Sequence, residues 1–460
     1  MTSDRRLPDW ASAVAGMAPA ILTVGLVLGV AAMCIVGPRR AQALPSYARQ
    51  TGQQCAACHN GFPELTPYGR QFKLNGYTFG GGDPSAIPPI SAMTVPSFTH
   101  TEAGQPGGAA PHFGPNDNFA VTGSLFYGGR IADNLGAFAQ GTYDGVTRNF
   151  NWDNLDIRYA RSFELFGHDT VVGTSFNNNP TVNDVWNSTP AWGYPYFASS
   201  LAPGPAAGTL IEGGLAQQVV GLNPYIYWNQ LIYAEIGGYR TLSPWTQSAL
   251  GIHPGGSSAI DTLAPSWRLA IEPAWGQNTF ELGTFGMTAS LVPERITGSG
   301  TDHLTDVGFD TQYQFLGARD SFSLQARFIT ENQNLSASQL LGLSTNSHNH
   351  LRSWNAKASY YYNQMVGVTG GYFQIDGSSD PLLFGGVSAS NSPRTSGWIG
   401  ELNFIPFNYG GPSFWPWLNM KLGLQYVHYN RFNGGSVNFD GAGRNAGDNN
   451  TLLLYAWTAF

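Results

Sequence analysis

The 460-residue chain carries 22 lysines and arginines against 29 aspartates and glutamates, a net charge of −7; only 11% of its residues are charged, while 13% are aromatic. This acidic balance argues against nucleic acid or an anionic lipid surface as partner and suits cations or a basic redox protein. Three cysteines are too few to staple a chain of this length through disulfides.

In chain order, Arg5 and Arg6 precede an apolar stretch from Met17 to Val36, followed by Pro38 and the small-residue triplet Ala41-Gln42-Ala43. This is the pattern of a secretory signal with an A-x-A cleavage site, so residues 1–43 are read as a signal peptide cleaved after Ala43. An uncleaved anchor is the competing reading, because the stretch approaches the ~20 residues of a membrane-spanning helix. Bulky Met33 before Cys34 speaks against lipidation. Cleavage removes four basic and two acidic residues, leaving a mature charge of −9 with Cys55 and Cys58 as its cysteines.

Residues 44–91 form the next unit, and Cys55-Ala56-Ala57-Cys58-His59 is its centre. Two thiols at this spacing reach the two vinyl groups of a haem, and the adjacent histidine supplies a proximal ligand to the iron, so one covalent haem c is expected on Cys55, Cys58 and His59. A redox disulfide has no call for the following histidine, and a zinc site needs further ligands held close. Fewer than fifty residues fold poorly without a staple, and haem would be that staple. Thr66-Pro67 reads as an N-cap with proline at the first helical position, and Asn75-Gly76 as the matching C-cap, predicting one short helix through Arg70, Phe72 and Lys73. Arg70 and Lys73 are candidate partners for haem propionates, with solvated surface charge as the plain alternative. The candidates for the sixth iron ligand are Met93, which would raise the potential, and His100, with His112 or an open position behind them.

From residue 92 to 460 the chain breaks into short runs with period-2 alternation. Val307, Phe309, Thr311, Tyr313 and Phe315 alternate with Asp306, Gly308, Asp310, Gln312 and Gln314, and Phe322, Leu324, Ala326 and Phe328 with Ser321, Ser323, Gln325 and Arg327. One face suits lipid and the other water. Sixteen such runs are placed, the first near 92–101, the eighth near 265–275 and the last near 448–460. Their connections alternate between short, as at Trp228-Asn229 and Asn363-Gln364, and long, as from Asn177 to Ala216, the signature of a transmembrane antiparallel β-barrel with short periplasmic turns. Trp228, Tyr233, Trp267, Trp398, Trp415 and Trp417 are expected in interfacial girdles. Asp156, Arg158, Asp306, Asp310, Arg327, Glu401 and Lys421 are expected in the lumen, and Asp184, Asp261, Glu294 and Asp302 on outer loops.

The segment Leu44 to Gly52, the haem motif, and Pro63-Glu64-Leu65-Thr66-Pro67-Tyr68-Gly69-Arg70-Gln71-Phe72-Lys73 together resemble the fused monohaem cytochrome-porin family of the bacterial outer membrane. Shorter matches recur at Glu401 to Phe404, Gly423 to Tyr426 and Asp448 to Leu452. The resemblance implies a haem plug inside a sixteen-stranded barrel and Fe(II):cytochrome c oxidoreductase activity. On this reading an extracellular one-electron donor, Fe(II), reduces the haem, and a periplasmic c-type cytochrome takes the electron. The alternative is a solute porin whose haem segment gates the pore or senses redox state; peroxidase-like chemistry would need an open iron position.

Overall fold

A computed structural model describes residues 45–80, 88–254, 257–413, 415 and 417–460. The expected signal peptide and its cleavage site lie outside the described residues. Among those described, sixteen long strands follow one another: β1 (Ile90–Thr101), β2 (Asn118–Ala132), β3 (Leu135–Asp144), β4 (Asn149–Leu165), β5 (His168–Asn177), β6 (Val219–Trp228), β7 (Ile232–Thr241), β8 (Ala264–Ile271), β9 (Asn278–Val292), β10 (Asp302–Leu316), β11 (Asp320–Asn334), β12 (His348–Tyr362), β13 (Val366–Gly377), β14 (Thr395–Phe404), β15 (Asn419–Arg431) and β16 (Thr451–Ala459). Each pairs antiparallel with its neighbours in sequence, and β16 returns to β1 with Met93 opposite Ala459 and Thr101 opposite Thr451. The sheet is closed, so no strand edge is left without hydrogen-bond partners, as a hydrocarbon surround requires.

The alternation sorts the two faces as read from the sequence. Along β10, Asp306, Asp310, Gln312 and Gln314 are buried in the lumen while Phe309 is 53% exposed on the outside. Asp156, Arg158, Arg327, Glu401 and Lys421 also face the lumen, mostly in ion pairs. Leu222, Ile236, Trp398 and Leu402 stand exposed on the outer face, and Phe328 packs on Trp354 there with ring centroids 4.3 Å apart. Among the described residues no helix is long and apolar enough to cross a membrane; strands form the crossing.

Short turns gather at one end, where Asn229-Gln230 and Asn363-Gln364 adopt positive φ at both positions, as tight hairpins require. Two connections break the expected alternation of lengths: 145–148 is short at the long-loop end, and 405–418 is long at the short-turn end. The expected eighth strand stops at Ile271 and resumes only at Ala274–Trp275, because Pro273 between them has no N–H to give the ladder.

The larger correction concerns residues 178–218. Expected as an outer loop, this connection folds into the lumen, burying Asp184, Trp186, Tyr194 and Leu201. It carries Asp184 inside with it, and Asp302 is likewise buried, accepting from the amides of Ala337 and Ser338. Tyr233, expected in a girdle, points inward instead and packs against Trp186. Alternation assigns a residue to a face, but both faces accept tyrosine, so the residue type alone misplaces it.

The N-terminal segment fills the short-turn end of the lumen. It contains α1 (Pro45–Thr51), the single turn α2 (Cys55–Cys58) and α3 (Pro67–Leu74). Only α3 is read from the sequence; its Thr66 cap accepts from the Gly69 amide at 3.3 Å, and Gly76 follows Asn75 with φ +69. The segment is fastened to the wall all round. Tyr47 donates to the Ala137 carbonyl at 3.0 Å, the Arg130 amide to Gln50 at 2.8 Å, Ser321 to Asn60 at 2.6 Å, and Tyr77 to Asp156 at 2.6 Å.

Candidate functional site

The attachment motif forms one helical turn because the amide of His59 donates to the Cys55 carbonyl at 2.8 Å. Thr66 then bonds the same turn twice: its amide donates to Cys58 O at 2.9 Å and its hydroxyl to Ala57 O at 2.6 Å. The cap of α3 therefore also positions the haem motif. Gly69 is needed at this contact, since a Cβ there would lie 2.3 Å from the Cys58 carbonyl oxygen. Cys55 and Cys58 are both buried, and burial pushes the Cys58 thiol up to about 12.

His59 is oriented by its own backbone neighbourhood. Nδ1 lies 2.9 Å from the Pro63 carbonyl; a carbonyl only accepts, so Nδ1 carries the proton and Nε2 keeps its lone pair. Burial lowers the ring's pKa to about 4 against the pull of its hydrogen bonding to the Pro63 and Glu64 backbone, which accepts from the ring, so the imidazole is neutral and ligand-competent at physiological pH. Phe62 sits edge-on to the ring at 5.1 Å and to Trp457 at 5.0 Å.

Cys58 and His59 open onto a cavity of about 460 Å³ inside the lumen, within the roughly 300–1,000 Å³ of cofactor sites. Its apolar side includes Phe62, Met93, Phe126, Phe138, Trp192 and Trp457. Its polar lining includes Ser124, Gln140, Thr142, Asp153 and Asn154. Residues 187–197 of the inward connection close part of it, a contribution invisible in the sequence because these residues lie more than a hundred positions from the motif. Among the described residues no group of three or more His, Cys, Asp and Glu side chains is placed to hold a metal ion, so a zinc reading of the two cysteines finds no further ligands. A thiol pair, a neutral histidine with its outer nitrogen free and a large, mostly apolar cavity are what a covalent haem needs, and the residues fit it.

The structure divides the remaining candidates. Met93 lines the cavity with His59. His100 does not: it lies seven residues further along β1, about 23 Å at strand rise, with a ring 43% exposed and Nδ1 donating to Asp117 at 2.7 Å. His112 belongs to the connection between β1 and β2, at φ +71. Arg70 is not aimed at the cavity; its guanidinium pairs with Glu272 at 2.6 Å and donates to Gln314, Gln312 and Thr279 in the wall. Lys73 does line the cavity, and its Nζ donates at 2.7 Å to the carbonyls of both Val182 and Asp184. Burial, helped by Arg158 and opposed by Asp156 and Asp184, lowers its pKa to about 7. Sequence reading missed the pair of Glu64 with Lys357, buried on both sides and joined by the Tyr196 hydroxyl. Glu64 stood inside the family-like segment, but nothing in the sequence marks Lys357 as its partner.

Fold and site together define a transmembrane β-barrel, an outer-membrane architecture, whose lumen holds an N-terminal plug bearing the Cys55-Ala56-Ala57-Cys58-His59 segment. No protein-family model matches the sequence, and no curated protein matches it. The chain is similar to several solved outer-membrane proteins. The outer membrane protein OmpT of Vibrio cholerae is 9% identical with a TM-score of 0.41, over 81% of this chain and 96% of that one. The outer membrane channel DcaP of Acinetobacter baumannii is 11% identical with a TM-score of 0.43, over 81% and 96%. OprB of Pseudomonas putida is 12% identical with a TM-score of 0.43, over 81% and 94%.

Proposed function

We propose that this protein is an electron conduit of the outer membrane, passing single electrons from an extracellular donor, Fe(II) in the version the family resemblance favours, to a periplasmic c-type cytochrome. The supporting observation is the opening of Cys58 and His59 onto the lumenal cavity that Met93 also lines. Cys55 and Cys58 would hold the haem c by thioethers, His59 through Nε2 and Met93 through its sulfur. When bound, the group supplies a one-electron acceptor, so no acid, base or nucleophile is required of the chain.

The protein's own residues do the rest. The Pro63 carbonyl keeps the His59 proton on Nδ1. Phe62, Trp192 and Trp457 keep water from the apolar side, and the wall pairs of Glu64 and Arg70 hold the plug in one place. A hydrocarbon core about 30 Å thick otherwise separates donor from acceptor. Each turnover takes one electron from the donor, which as Fe(II) becomes Fe(III), and hands one electron to the acceptor.

A second reading rests on the strand count, because a sixteen-stranded barrel is wide enough for an aqueous channel; the haem segment would then gate solutes. Stopped-flow reduction of the purified haem protein by Fe(II) separates the two. Reduction on the timescale of turnover supports the conduit. If Fe(II) leaves the oxidised spectrum unchanged while another donor bleaches it, the iron assignment falls; if no outer donor reduces it and the barrel conducts solutes, the porin reading takes its place.

A further inference from the structure

The lumenal carboxylates of this barrel are mostly matched to a cation. Asp156 pairs with Arg158, Glu272 with Arg70, Glu64 with Lys357, Glu401 with Lys421, and Asp184, Glu281 and Asp310 with Arg268. Two carboxylates line the haem cavity, Asp153 and Asp184. Asp184 is consumed by Arg268 and by the amides of Trp186, Ser188 and Thr189. Asp153 differs. Its side chain accepts from the Thr142 hydroxyl at 2.8 Å, the Gln217 amide at 2.9 Å and the Asn154 amide at 3.2 Å, all of them uncharged.

The neighbours of Asp153 present oxygen to the same space. Gln140 turns its amide nitrogen onto Ser124 and Thr142 at 3.2 and 3.1 Å, so its carbonyl oxygen takes no part in those bonds. Ser124 and Thr142 hold their hydroxyls 2.9 Å apart. The Thr142 hydroxyl gives its proton to Asp153 and accepts from Gln140 and Ser124, so it holds the other groups in place. One carboxylate, one amide carbonyl and one hydroxyl on one wall are hard oxygen donors, the chemistry that hard divalent cations accept, usually with several of their waters retained. A single negative charge in a low-dielectric enclosure also concentrates cations locally.

We propose that Asp153, with Gln140 and Ser124, forms a subsite for a hydrated divalent cation on the wall of the haem cavity. The proposal rests on the conduit reading and deepens it by assigning where a cationic donor waits before giving up its electron. One electron leaves the cation and one is taken up by the haem; no bond forms or breaks.

The test uses the purified holoprotein in detergent and its Asp153→Asn variant, with Asp153→Glu as the charge-retaining control. Mn²⁺, a divalent cation that is not oxidised under these conditions, probes the site without turnover. Added Mn²⁺ should shift the haem midpoint potential in wild type and in Asp153→Glu but not in Asp153→Asn. It should also slow reduction by Fe(II). The Fe(II) rate should fall roughly three- to tenfold in Asp153→Asn, at the lower end of electrostatic effects on encounter rates, with reduction by anionic dithionite unchanged. Equal loss with both reductants, or a Mn²⁺ response identical in all three proteins, overturns the subsite. Should wild type be reduced by dithionite but never by Fe(II), the iron reading fails by itself, and the Mn²⁺ shift alone then decides for or against the subsite.

Discussion

The residues of the attachment motif act in distinct ways, and their substitutions should separate cleanly. Replacing Cys55 and Cys58 together by alanine should abolish covalent haem retention while leaving the barrel folded, because neither residue belongs to a strand. Haem staining of denatured protein, read beside the heat-dependent gel mobility of the barrel, checks both halves. On the conduit reading, with Met93 as sixth ligand, Met93→Ala should lower the midpoint potential and change the optical spectrum, since loss of a thioether ligand would remove the factor that raises it. His100→Ala should leave both unchanged, its ring being engaged with Asp117 at the far end of β1. A spectrum altered by His100→Ala and indifferent to Met93→Ala would reverse the ligand assignment.

At the scale of elements, the plug is held by buried ion pairs reaching from α3 and its approach to the barrel wall. Glu64 shows what such a pair contributes. Burial alone would raise its carboxyl, but the charge and hydrogen bond of Lys357 outweigh burial and hold it below the ordinary value of 4.5. A depressed folded-state pKa means stability that is complete above the unfolded value and drains away as pH falls through the lower folded one. Amide exchange in the plug should therefore be slow at neutral pH and accelerate below about pH 4, before the strands of the barrel respond. Glu64→Gln leaves Lys357 buried without its counter-charge, a change that costs about 3 kcal/mol or more. The same amides should then exchange roughly a hundredfold faster at neutral pH. Unchanged protection in that variant would show that the remaining wall contacts hold the plug without Glu64.

For the molecule as a whole, the question is what passes through the lumen. Sixteen strands enclose an aqueous channel when empty, yet here the N-terminal segment fills the short-turn end and residues 178–218 fold in above it, burying Trp186, Tyr194 and Leu201. Wild-type protein in planar bilayers should conduct ions several-fold less than a variant lacking residues 45–80, which keeps all sixteen strands. Equal conductance in the two would mean that the plug does not obstruct the pore, and the solute-porin reading would gain accordingly.

The sequence by itself determined the sixteen-strand barrel, its two faces, the Cys-x-x-Cys-His turn and the helix that caps onto it. These rest on local rules: a period of two, a fixed Cys-x-x-Cys-His spacing, and a Thr-Pro start with an Asn-Gly stop. Only the tertiary structure decided that the connection 178–218 turns inward and roofs the cavity, that Tyr233 faces Trp186, that Arg70 serves Glu272 while Lys73 and Met93 reach the cavity, and that Lys357 answers Glu64. The reason is physical. A long polar connection satisfies its backbone equally well in water or against a polar lumen, and a lone lysine or arginine carries no label for the carboxylate it will meet across a barrel. Which of these arrangements wins depends on closure of the sheet, which brings residues hundreds of positions apart to one wall.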